Sequence, residues 1–150
     1  MPGTDNKITP SIYRLSISPV KGEKKKNVKS VTVLPSIGIE GDAHARSSRP
    51  VSLLPYESFS KLANSDLKIN PGDFAENITT VGLNFGTLVV GTRIALGDGV
   101  ILEIIQIGKE CHNGCVIKQI VGDCIMPREG VFANVIEGGI LREGDPAKIL

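Results

Sequence analysis

Short apolar runs separated by Gly, Pro and Asp recur along most of the chain. Segments of strand length fall at Ile12 to Ile17, Val28 to Leu34, Val51 to Leu54, Asn77 to Thr80, Arg93 to Leu96, Val100 to Ile107 and Val131 to Ile136. That is the spacing of an all-β domain. The plainest local unit is Arg93 to Ile104, where Asp98-Gly99 sits between two apolar arms. Gly accepts positive φ at no steric cost, so the pair predicts a tight turn and a β-hairpin. In the second arm Val100, Leu102 and Ile104 line one face, while Ile101, Ile105 and Ile107 share the other with Glu103. Apolar residues on both faces predict a central strand buried on both sides.

One segment has helical spacing instead. Pro55 suits a first turn, and Tyr56, Phe59, Leu62 and Ala63 repeat at helical intervals before Asn64 and Ser65, so Pro55 to Asn64 is expected as the main helix. A second, shorter helix can start near Cys111. With many strands and little helix, closure of the sheet removes exposed edges. The expected fold is therefore mainly β, a β-barrel with a few short helices outside it. Residues 1–11, with Pro2, Gly3 and Pro10 among polar neighbours, read as a flexible N-terminal tail, and 12–150 as a single domain, since 150 residues suffice for one core and are few for two.

Composition narrows the function classes. The hydrophobic share of 41% and the charged share of 22% are those of a globular protein, and no apolar run approaches the roughly 20 residues of a membrane helix. The polar N-terminus lacks an apolar signal-peptide core, which makes the cytoplasm the expected compartment. A net charge of +1 and the absence of Trp argue against nucleic acid as a partner. The run Lys24-Lys25-Lys26, with Lys21 and Lys29 nearby, reads as a solvated surface that serves solubility. Three cysteines without a secretion signal point to reduced thiols, of use for reactivity or metal binding.

Three blocks carry candidate chemistry. The last, Gly122-Asp123-Cys124-Ile125-Met126-Pro127-Arg128-Glu129-Gly130, sets a thiol beside a turn. A cation favours the thiolate, so Arg128 can activate Cys124 if the Pro127 turn brings it round, and a persulfide there is chemically sensible. The alternative is a small buried hydrophobe behind Ile125. Upstream, Cys111-His112-Asn113-Gly114-Cys115 offers two thiols and an imidazole, which with Cys124 and His44 would suit a tetrahedral metal. A C-x3-C pair with one lone cysteine is not finger spacing, which argues against structural zinc. On a helix Cys111 and Cys115 would share one face and can line a pocket beside Cys124.

The first block, Gly38-Ile39-Glu40-Gly41-Asp42-Ala43-His44, is followed by Arg46 and Arg49. His44 and the two arginines can bind an anion, phosphate above all, through charge-assisted hydrogen bonds. The middle block, Pro71-Gly72-Asp73-Phe74-Ala75-Glu76-Asn77, offers Glu76 and Asn77 as polar contacts to a heterocycle. The first block can equally be a turn with solvated charges, and residues like those of the middle block more often merely build turns. The phosphate loop of nucleotide hydrolases, the Rossmann fingerprint and the G-x-S-x-G elbow are all missing, against nucleotide hydrolysis, nicotinamide chemistry and serine hydrolysis.

Taken in order, the three blocks resemble the MOSC domain, found at the C-terminus of molybdenum-cofactor sulfurases and as stand-alone proteins, and the resemblance runs from about Ile12 to Leu150. It implies a β-barrel and a molybdenum cofactor, a pterin dithiolene that carries a phosphate. Lys21-Gly22 matches another family position that can face this cofactor. Cys124 matches the cysteine that family members are proposed to use for binding or transferring sulfur, and Cys111 and Cys115 become secondary candidates. The implied function is binding of the molybdenum cofactor or a related sulfurated species, with Cys124 as sulfur carrier or metal ligand. In the sulfurases a separate pyridoxal-phosphate domain mobilises sulfur, so pyridoxal phosphate enters only through a partner: the resemblance implies a cysteine desulfurase or molybdoenzyme partner, or receipt of a preformed cofactor. Two other roles stay open: a component of a molybdenum-dependent reductase of N-hydroxylated bases, and a non-catalytic cofactor-binding or assembly module. Reduction would demand a partner, since no iron–sulfur cysteine spacing is present.

Overall fold

The computed structural model of the chain describes residues 9–20, 24–58, 70–72, 74–108 and 130–150. Among them the apolar runs become strands: β1 (Ser11–Ile17), β2 (Lys26–Val28), β3 (Ser30–Leu34), β4 (Gly38–Ile39), β5 (Val51–Pro55), β6 (Ile78–Val81), β7 (Arg93–Leu96), β8 (Val100–Ile107), β9 (Val131–Glu137), β10 (Gly139–Arg142) and β11 (Ala147–Ile149). An 8-stranded mixed sheet has the order β11-β7-β8-β9-β5-β6-β1-β2, and a 3-stranded sheet has the order β10-β3-β4. The parallel pair of the larger sheet is β5 with β6; the other described pairs are antiparallel.

The hairpin lies where Asp98-Gly99 put it. Arg93 faces Glu103 and Leu96 faces Val100, which leaves Gly97-Asp98-Gly99 as the turn, with φ of 59° at Gly97 and 140° at Gly99. β8 is central, between β7 and β9. Burial on both sides is corrected, however. Val100, Leu102 and Ile104 are buried, while Ile101 is half-buried and Ile107 is exposed. The outer face meets solvent, where Glu103 pairs with Arg93 at 3.1 Å.

Two further expectations change for stated reasons. The run Val28 to Leu34 is not one strand: β2 pairs with β1 and β3 with β10, so the chain changes sheets at Lys29. Pro55 closes β5, opposite Thr80, so the helical conformation begins only after it. A proline has no N–H to give a ladder, which suits a strand terminus. Residues 56–58 form a short 3-10 turn, and the rest of the expected helix, like the one near Cys111, lies outside the described residues.

The expected β-barrel is not found: among the described residues the larger sheet is open, with β11 and β2 at its ends and one isolated bridge between β1 and the residues before β11. Ser11 bridges Pro146, and the Ile12 N–H donates to Asp145 O at 2.8 Å while Ile12 O accepts from Gly144 N–H at 2.8 Å. These bonds bring β1 to the residues entering β11, but no strand ladder runs between the two. The described structure is thus mainly β, a mixed sheet beside a small one. Leu15, Leu53, Ile78 and Leu102 of the larger sheet and Val33 and Leu141 of the smaller share one core. Each such side chain contributes about 1.5–3 kcal/mol by leaving water. Among the described residues no helix is long and apolar enough to cross a membrane.

Candidate functional site

Asp42 lies just past β4, where the chain leaves the small sheet, and its side chain is fully buried. A buried carboxylate needs partners, and this one has them. Oδ1 accepts from Lys25 Nζ at 2.7 Å and from the Ser18 N–H at 3.1 Å, and Oδ2 accepts from the His44 N–H at 3.1 Å. Burial alone would raise the carboxyl, but hydrogen bonding from His44, Lys25 and Ser18 and the charge of the Lys25 ammonium outweigh it and hold Asp42 well below the usual carboxylate range.

Lys25 corrects the reading of the lysine run as a solvated surface. Its neighbours Lys24 and Lys26 are exposed, but Lys25 is 4% exposed, and its Nζ also lies 3.3 Å from His44 Nδ1. Nothing in three consecutive lysines marks the middle one. The available signal is the alternation of a strand about to begin at Lys26, which turns every second side chain inward.

The middle block joins this network through the backbone. The Lys25 N–H donates to Gly72 O at 2.8 Å. Gly72 has φ of +94°, and a Cβ there would stand 2.4 Å from Lys25 O, so the close approach demands glycine. Its own N–H donates to Glu76 Oε2 at 2.9 Å, and Thr79 Oγ1 donates to the same oxygen at 2.7 Å. Glu76 is fully buried, and burial pushes its carboxyl up to about 7 against the opposing pull of the Gly72 N–H and the Thr79 hydroxyl. Glu76 Oε1 has no hydrogen-bond partner among the described residues.

Asn77 is 1% exposed and ties three segments together. Its Oδ1 accepts from the Ser52 N–H at 3.0 Å and the Ser52 hydroxyl at 3.2 Å, and its Nδ2 donates to Ser16 O at 3.2 Å. Glu76 and Asn77 therefore point into the protein and hold β1, β5 and the turn at Gly72 in register.

His44, Arg46 and Arg49 share the loop between β4 and β5. The His44 side chain is 31% exposed above the buried Lys25 and Asp42. Arg46 is exposed and takes φ of 70°, a left-handed conformation fixed by its N–H donating to Ile37 O at 2.7 Å. The Arg49 guanidinium lies 5.2 Å from the centre of the Phe132 ring on β9. Stacked in this way it keeps its planar N–H edge for an anion.

The structure thus joins His44 directly to Asp42 and Lys25, and Glu76 to them through Gly72. Lys21, Cys111, Cys115, Cys124 and Arg128 lie outside the described residues. Among the described residues no group of three or more His, Cys, Asp or Glu is placed to hold a metal. The 44–49 loop thus carries one imidazole and two guanidinium side chains, next to an Asp42 whose charge is matched by Lys25.

The fold has solved relatives. The YuaD protein of Bacillus subtilis superposes with a TM-score of 0.77 at 19% identity, over 95% of this chain and 96% of that one. YiiM from Geobacillus stearothermophilus gives 0.71 at 18% identity, over 94% of this chain and 75% of the other. YiiM from Escherichia coli gives 0.66 at 18%, over 95% and 68%. No curated protein matches the chain. The MOSC domain model matches residues 40–148, a span that takes in the Asp42, His44 and Glu76 positions just described, and on that match the chain belongs to the MOSC domain family.

Proposed function

We propose that this MOSC domain binds the molybdenum cofactor or a related sulfurated species, with the phosphate received by His44, Arg46 and Arg49 and sulfur carried or transferred by Cys124. The observation that supports it is the Lys25–Asp42 pair at 2.7 Å beneath the His44 loop. An unpaired Asp42 would repel a phosphate; paired with Lys25 it orients the loop without opposing the ligand. The donor set fits the group: one imidazole and two guanidinium side chains on a single loop, one of them already stacked on Phe132. Lys21 adds a further cation in this reading, and Glu76 and Asn77 serve by fixing the turn at Gly72.

When bound, the cofactor supplies a molybdenum centre on which sulfur or oxygen chemistry takes place. The chain's own part is binding, orientation and sulfur delivery. Sulfur would reach Cys124 by attack of its thiolate on the terminal sulfur of a persulfide held by a cysteine desulfurase partner. A new S–S bond forms as the donor's breaks, the donor thiolate leaves, and the sulfur changes hands without net oxidation. Arg128 stabilises the attacking thiolate, Cys111 and Cys115 stand by as further thiols, and a cytoplasmic setting keeps all three reduced.

Native mass spectrometry of the anaerobically purified protein tests this reading. Bound pterin, molybdenum and a 32 Da adduct on Cys124, the mass of one sulfur atom, are the expected result. Protein that takes up neither pterin nor sulfur when supplied with cofactor and a desulfurase would overturn it.

A further inference from the structure

His44 has two ring nitrogens, and its nearest neighbours favour one arrangement of its proton. Nδ1 lies 3.3 Å from Lys25 Nζ and 3.7 Å from Asp42 Oδ2. The longer contact is beyond hydrogen-bond reach, and that oxygen already accepts the His44 backbone N–H at 3.1 Å. The nearer neighbour, an ammonium, has three donors and no acceptor. A proton on Nδ1 would therefore face a donor, whereas a lone pair there accepts one of the Lys25 hydrogens. In the neutral ring the proton must then sit on Nε2.

The geometry points to Lys25 as a positioning residue that fixes His44 as its Nε2–H tautomer, so that the imidazole offers a donor to a phosphate or other oxyanion. Nothing in a solvated lysine would do this. Lys25 is held in place by burial, by Asp42 Oδ1 at 2.7 Å and by its N–H bond to Gly72 O at 2.8 Å. The ammonium cannot swing away to water without leaving Asp42 uncompensated. One buried cation therefore matches the charge of Asp42, orders the loop and sets the hydrogen-bonding polarity of the exposed ring. The inference rests on the anion-binding reading above for its purpose, but its structural content is separable from it.

The test is the ¹⁵N signature of the His44 ring, read in a His112→Asn background that leaves His44 as the single histidine. In the ligand-free protein at pH 7.5 a protonated Nε2 and an unprotonated Nδ1 are expected. Lys25→Met should shift the proton to Nδ1 or leave the tautomers mixed, and should weaken binding of inorganic phosphate by about tenfold, the loss of one charge-assisted contact. A wild-type ring protonated on Nδ1, or a Lys25→Met ring with an unchanged Nε2–H signature, would overturn the inference. If Lys25→Met does not fold, the wild-type spectrum still decides. An Nε2–H ring in a protein that binds no phosphate would support the role of Lys25 and tell against the anion site.

Discussion

The Lys25 N–H donates to the Gly72 carbonyl at 2.8 Å, and this bond makes one unit of two loops distant in sequence. On one side of it the ammonium of Lys25 holds Asp42 and His44; on the other, the Glu76 carboxyl holds the turn at Gly72. A perturbation at either end should be felt at the other.

Gly72→Ala is the most direct probe of that coupling. The added Cβ would stand 2.4 Å from Lys25 O and 3.0 Å from Ser16 Oγ at a φ of +94°. Backbone must move to admit it, at an expected cost of about 2–3 kcal/mol. Urea unfolding measures the loss, and a change below about 0.5 kcal/mol, the range of an ordinary surface substitution, would show that the approach can relax without penalty.

Glu76 should make stability fall as pH rises. Its carboxyl moves from 4.5 to about 7 on folding, raised by burial, so the native state binds more protons than the unfolded chain between those values. The contribution is fully present below pH 4.5 and is lost as pH passes 7. Wild type should therefore lose about 3 kcal/mol relative to Glu76→Gln between pH 4.5 and 8. Parallel stability curves for the two proteins over that range would show that the buried carboxyl does not titrate there.

Much of the sheet was legible because strand signals are local. Val100 to Ile107 declared itself through alternation and the Asp98-Gly99 turn, and its limits agree with β8. What was not legible depends on partners far along the chain. The break at Lys29 follows from pairing with β1 on one side and β10 on the other, and the short strands β4, β10 and β11 have too few residues to show a period. Pro55 offered two uses, and the Thr80 ladder chose the strand. Around Asp42, His44 was visible as a lone imidazole in its block, while Lys25 was hidden among identical neighbours. Glu76 and Asn77 were visible as polar residues, but their burial could not be read from a block rich in turn formers.

Asp42→Asn should destabilise strongly at neutral pH, because it leaves the buried Lys25 ammonium without its counter-charge. Breaking a buried pair in this way costs about 3–5 kcal/mol. Asp42 has its carboxyl held low in the fold, so its contribution is present above the unfolded value of 3.8 and is lost as pH falls through the folded value. The gap between wild type and Asp42→Asn should accordingly narrow below pH 3.8. Thermal unfolding from pH 7 down to pH 2 measures this, and a gap independent of pH would mean that the loss at neutral pH comes from packing.

Arg49 separates anion binding from fold stability. Its guanidinium stacks 5.2 Å from the Phe132 ring centre, a cation–π contact at a half-buried position worth about 0.5–1 kcal/mol. Arg49→Ala should therefore lower stability by no more than about 1 kcal/mol. Its phosphate affinity should drop much further, by about 1.5–3 kcal/mol or 10- to 150-fold, as a charge-assisted contact is lost. Arg49→Lys restores the charge but neither the planar fork nor the stacking, and should recover only part of the affinity. Phe132→Leu keeps the guanidinium and removes the ring that orients it, so it should fall between wild type and Arg49→Ala in calorimetric titrations. If both Arg49 variants bind phosphate as wild type does while Lys25→Met does not, the oxyanion is held by His44 and the remaining cations without Arg49, and the stacked arginine serves only to pin its loop to β9.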